Sequence, residues 1–133
     1  MKNTLSLVIL VLMLSGCATA TNMPQQSMSA SFYDMNEKSF SIQAVAPPQA
    51  IREYAICKVI WFAEKKKAEK VAIGDPRYGN SVRDTGGMGV EVPDGWLVVD
   101  ATAYLAEPKE TANPFNSVPE LAKTCRASWD WYR

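Results

Sequence analysis

From Ile51 to about Lys67 the chain reads as a helix that is apolar over more than half its circumference, through Ile51, Tyr54, Ala55, Ile56, Val59, Ile60, Trp61, Phe62 and Ala63. A helix lying on a surface needs only one apolar stripe; one that is apolar most of the way round must be packed on most sides. The rest of the chain therefore has to supply both a sheet and another helix to cover it. Pro47-Pro48 introduces this helix, since proline is tolerated in a first turn. Lys65, Lys66 and Lys67 close it, where cations sit well against the negative end of the helix dipole. Cys57 falls inside the buried zone, one turn before Trp61.

The sheet is written in period-two alternation. Phe40, Ile42 and Ala44 alternate with Ser39, Ser41 and Gln43, giving a strand with one buried face. Val71-Ala72-Ile73 reads as a short strand ended by Gly74-Asp75-Pro76. Further on, Pro93-Asp94-Gly95 stands between Val92 and Trp96, with proline for a turn's first corner, Asp to bond back to the backbone and Gly for positive φ. Met88, Val90 and Val92 alternate on the way in; Leu97, Val99, Ala101, Ala103 and Leu105 alternate on the way out. A hairpin of about 88–92 against 96–105 is expected. After a loop framed by Pro108 and Pro114, Ser117-Val118-Pro119-Glu120 is a capping box with proline inside the first turn. The helix it opens buries Val118, Leu121, Ala122, Cys125, Trp129 and Tyr132. No internal repeat is visible. The expected fold is α+β: a small antiparallel sheet of three to four strands with two helices, in the order strand-helix-strand-hairpin-helix.

The N-terminus carries a different signal. After the basic start Met1-Lys2, residues Leu5 to Leu14 are apolar apart from Ser6. As a helix this run is roughly 15 Å long, half of the ~30 Å core of a bilayer, so it fits a secretory h-region and not a membrane span. It ends in Leu14-Ser15-Gly16-Cys17, which resembles the lipobox of bacterial lipoproteins. That resemblance covers the first 17 residues and implies that the Cys17 thiol receives a diacylglyceryl group, that the peptide is cut before it, and that the new amine is acylated. At about 0.8 kcal/mol per buried methylene, two or three acyl chains are a lasting anchor. In lipoproteins of this type Ala18, in place of the aspartate associated with inner-membrane retention, implies the outer membrane; the expected facing is the periplasm. The expected organisation is a signal peptide over 1–16, a lipidated N-terminus and flexible tether over 17–37, and a globular domain over 38–133. Residues 18–37 are rich in Ala, Thr, Ser, Asn and Gln, and a coil of this length spans about 25 Å. Phe32, Tyr33 and Met35 interrupt it and are expected to dock on the domain, the alternative being a partner.

Composition bounds the function. The 14 basic and 14 acidic residues balance, and Lys2 leaves with the signal, so the mature chain has no positive excess to draw nucleic acid. All four Trp, five Tyr and four Phe lie beyond residue 16, so a real core is available. With Cys17 modified, Cys57 and Cys125 remain, and in an oxidising compartment an even pair reads as a disulfide. Two buried free thiols are the alternative; a redox pair would more commonly be Cys-x-x-Cys, which is absent.

Catalytic signals are weak. There is no histidine, so the usual serine or cysteine hydrolases have no base, and zinc would have only carboxylates and two cysteines. Asp84-Thr85-Gly86 matches the aspartic-protease tripeptide, but that chemistry needs two such loops. Gly86-Gly87-Met88-Gly89 lacks the lysine of a phosphate-binding loop. Neither a metal nor a cofactor is expected. A carboxylate pair, Asp94 with Asp100 or Glu91, is the remaining route to glycoside cleavage. Trp96, Asp100 and Tyr104, joined by Trp131, are a candidate aromatic platform for a protein or cell-wall partner. The expectation is thus a non-catalytic, membrane-anchored envelope lipoprotein that serves as a binding or structural module; the alternative is a cell-wall enzyme acting through carboxylates. With its lipobox Leu14-Ser15-Gly16-Cys17, the chain as a whole resembles the small lipoproteins of Gram-negative envelopes.

Overall fold

The computed structural model describes residues 28–80 and 92–133. Six antiparallel strands and two helices follow in the order β1 (Ser29–Asn36), β2 (Ser39–Ala46), α1 (Ile51–Lys65), β3 (Lys70–Ile73), β4 (Arg77–Gly79), β5 (Leu97–Tyr104), β6 (Asn116–Ser117) and α2 (Val118–Ser128). The sheet runs β1-β2-β5-β3-β6, with β4 also paired to β5. Both helices lie on one face of it.

Three of the strands lie where the sequence gives little signal, so the sheet has six strands and not three or four. The first, β1, falls in the stretch expected to be tether. It pairs with β2 from Ser29 opposite Val45 to Asn36 opposite Ser39, so the sheet begins well before residue 38. The expected docking of Phe32 is the reason: its ring stacks on Phe62 of α1 with centroids 4.3 Å apart. Tyr33 and Met35, on the other face of β1, stay exposed.

β3 and β4 are one strand interrupted by a bulge. Ile73 opposes Ala103 and Arg77 opposes Asp100, so four steps on this side match three on β5 and one residue is extra. Gly74 donates its N–H to Thr102 O at 2.7 Å, and a Cβ there would stand only 3.2 Å from that same oxygen. Pro76, which has no N–H to give, fits the break. The expected hairpin is described only in part. Part of its incoming strand lies outside the described residues, and along 98–104 β5 has β2 on one edge and β4 and β3 on the other. The tight turn does form, shifted by one residue: Trp96 N–H donates to Pro93 O at 3.0 Å, and Gly95 takes φ +82°.

The core lies between helices and sheet. Phe40, Ile42, Ala44 and Ala46 of β2, with Val99 and Ala103 of β5, meet Ile51, Tyr54, Val59, Ile60 and Ala63 of α1. Seven of the fifteen residues of α1 are buried, which explains why its apolar surface runs round the helix: sheet on one side, α2 on another. Beyond Lys65, Lys67 adopts φ 60° and Ala68 N–H returns to Ala63 O, an αL cap of the Schellman type. Lys66 pairs with Asp34 of β1, and Lys65 lies over the Trp61 ring at 4.9 Å. At α2 the expected cap is present, with Glu120 N–H donating to Ser117 Oγ at 3.4 Å. Cys57 and Cys125 are joined across the two helices, S–S 2.11 Å, closing a loop of 68 residues.

Glu64 of α1 links to the C-terminal segment. It accepts from Arg126 Nη2 at both oxygens, 3.2 and 3.1 Å, and from Tyr132 Oη at 3.1 Å. Burial, together with the Glu64 carboxylate beside it, pushes the Tyr132 phenol up to about 12. Burial alone does the same for Tyr54. A raised phenol favours the neutral form in the folded state, so its stabilisation is complete below pH ~10, the unfolded value, and is lost as pH rises through 12. Thermal melts should therefore fall between pH 10 and 12, and the Tyr54→Phe/Tyr132→Phe double variant should fall less steeply.

Candidate functional site

The sheet has two unlike faces. On the face away from the helices, Asp100 of β5 sits opposite Gln43 of β2, and its Oδ1 accepts from Gln43 Nε2 at 3.1 Å. Tyr104 shares that face by register, and Trp96 stands just before the strand begins. Trp131 lies elsewhere. It packs against Tyr54 of α1 at 5.7 Å and Trp129 at 5.9 Å, with Lys58 Nζ 3.8 Å from its ring centroid. The four residues expected to form one platform are thus split between the two sides of the sheet. Lys58 in this aromatic bed has its pKa lowered by desolvation. Cys17, Glu91, Asp84-Thr85-Gly86 and Gly86-Gly87-Met88-Gly89 lie outside the described residues.

On the helical face there is a cavity of about 520 Å³, within the roughly 300–1,000 Å³ range of small-ligand sites. Its floor is Ile42 of β2 and Val99 and Ala101 of β5; its ceiling is Ala55, Ile56 and Val59 of α1. Ile42, Val59 and Val99 are at most 2% exposed, so they close the base, and the accessible aliphatic walls are Ile56, Ile73, Ala101 and Leu121. Space opens because small side chains, Ala55 and Ala101, line both layers toward the bulged edge. Ile73, Pro76 and Tyr78 form the side wall, and Leu121 of α2 the back.

The rim is polar and held in place. Asn113 Nδ2 donates to Ile73 O at 2.7 Å and to Asp75 Oδ1 at 3.2 Å, tying the loop after β5 to the bulge. Lys109 Nζ clamps the same loop by donating to the carbonyls of Thr111 and Asn113, both at 2.8 Å. Asn116 Nδ2 donates to Pro114 O at 3.4 Å. Arg52, in the first turn of α1, is the single formal charge on the lining, and no carboxylate lines the cavity, among the described residues. Arg52 has neither a hydrogen bond nor an ion pair among the described residues. Such a pocket can sequester an apolar group and hold a polar end, but its described walls offer no acid or base for bond cleavage. No group of three potential metal ligands occurs among the described residues.

Sequence reasoning missed every residue of this rim. Arg52 reads as an ordinary solvated charge on a helix, and the amides of Asn113 and Asn116 as loop composition. The one available signal was the pair of alanines, Ala55 and Ala101, at positions of buried elements where larger residues pack better. No family model, curated protein or solved structure matches the chain.

Proposed function

We propose that this chain is a non-catalytic binding module of the bacterial envelope, anchored at the outer membrane through acylated Cys17 and facing the periplasm. The observation that carries the binding role is the cavity: an apolar cleft, half open to solvent, lined among the described residues by one cation without a partner, Arg52, and by no carboxylate. Placement is supported by Leu14-Ser15-Gly16-Cys17, and the disulfide suits an oxidising compartment.

Cys17→Ser tests the placement. The variant is expected to leave the membrane fraction and to lack the mass of acyl chains. Retention in the membranes at wild-type level, or a native protein free of acyl groups, overturns it. Crosslinking in vivo followed by mass spectrometry then tests the module: an envelope component should be captured through residues at the cavity rim. Wild-type capture yields from a protein whose cavity is filled by Ala101→Phe would remove the role assigned to that chamber.

A further inference from the structure

The cavity's chemistry specifies a class of ligand. We infer that it binds a single-chain anionic amphiphile, a long-chain carboxylate, with the acyl chain between α1 and β5 and the carboxylate at Arg52. The inference rests on the binding-module reading and deepens it by naming what is bound.

Three observations converge. The partly exposed walls formed by Ile56, Ile73, Ala101 and Leu121 are aliphatic, and burial of apolar ligand surface against them is favourable by ~25 cal/mol per Å². Aromatic stacking surface of the kind that grips sugars is nearly absent, Tyr78 at the rim being the single aromatic among the described lining residues. Charge is placed at one end. Arg52 is exposed, without a partner among the described residues, and its planar guanidinium suits bidentate binding of a carboxylate. It stands in the first turn of a helix of 15 residues, so the positive end of the α1 dipole adds to its field. Ala50, at the N-cap, offers no side-chain cap to that end. An uncharged chain would leave Arg52 idle, whereas a cationic head would be repelled.

The test uses the mature lipidated chain, from Cys17 onward, in phosphatidylcholine vesicles. Photoactivatable diazirine analogues of dodecanoate and of dodecanol are supplied at equal membrane content, and crosslinked residues are mapped by mass spectrometry. Labelling on α1 and β5 at the cavity walls is expected, with the carboxylate labelling ~3- to 5-fold more than the alcohol, as an exposed ion pair of about 1 kcal/mol implies. Arg52→Gln, an exposed site that leaves the core intact, should equalise the two probes. Ala101→Phe should abolish wall labelling by both. Unlabelled walls, or a carboxylate preference unchanged in Arg52→Gln, overturn the inference. Since labelling reads the cavity and fractionation of Cys17→Ser reads the anchor, the failure of one is distinct from the failure of the other.

Discussion

Removing the Cys57–Cys125 bridge with the Cys57→Ala/Cys125→Ala double variant is expected to cost about 4 kcal/mol of stability. The loop it closes is 68 residues long, and the chain-entropy relation gives a restriction of the unfolded ensemble of that size. Since small domains are stable by only ~5–15 kcal/mol, this is a large part of the total. At ~4–8 °C per kcal/mol for a domain of this size, the melting temperature should fall by on the order of 20 °C. Little else can compensate between the two helices. The Arg126–Glu64 pair is half exposed on both sides, and such pairs contribute about 0.2–1 kcal/mol. Alanine is preferred to serine because both sulfurs belong to residues 3% exposed, where an unpaired hydroxyl would add its own desolvation cost. Urea denaturation of oxidised, reduced and double-variant protein measures the effect directly. A loss below 1 kcal/mol would show that the helices hold together without the bond, and that packing of α2 on α1 dominates.

The elements legible in the sequence are those whose local pattern and tertiary role agree. The α1 helix was visible because its apolar residues have to face both sheet and α2. In α2, both the cap at Ser117 and the spacing of Val118, Ala122 and Cys125 mark the same start and the same face. β2 and β5 alternate because only one of their faces meets the helices. β1 was hidden by its own alternation: Phe32 turns to the core while Tyr33 and Met35, as large and as apolar, turn to solvent. Two apolar faces on a strand give no phase. β4 is three residues between Pro76 and the Asn80 bend, and β6 is two, so neither is long enough to show a period. Of the expected hairpin, the turn residues 93–95 act as turn residues, with Trp96 N–H on Pro93 O, while residues 88–91 lie outside the described residues.

The site was less legible than the fold for a physical reason. A cavity is made by what is missing, here bulk at Ala55 and Ala101, and by where a bulge carries a loop. Trp96, Asp100, Tyr104 and Trp131 drew attention as large or charged residues, yet Asp100 is occupied by Gln43 and Trp131 is built into the packing around Tyr54. Conspicuous side chains are often conspicuous because the core uses them.

Phe40→Ala is expected to cost about 3–5 kcal/mol, comparable with loss of the disulfide but through a different route. Phe40 is fully buried. Its ring meets Phe62 of α1 edge-on at 4.7 Å and Phe32 of β1 at 6.1 Å, while Phe32 stacks on Phe62. The three rings join β1, β2 and α1 at one point, and each such pair adds ~0.5–1.5 kcal/mol beyond the area it buries. Truncating the central ring leaves a void that the sheet backbone cannot close, so the amides of β1 should exchange with solvent faster than those of β5, even under native conditions. Tyr33→Ala, one residue along the same strand from Phe32 but 58% exposed, should change stability by no more than ~0.5 kcal/mol. In a double-mutant cycle, Phe32→Ala combined with Phe40→Ala should cost less than the two single losses together, because the second truncation removes contacts that the first has already broken. Strict additivity would mean that the rings act independently, and that β1 is held by its ladder to β2 and not by this aromatic joint.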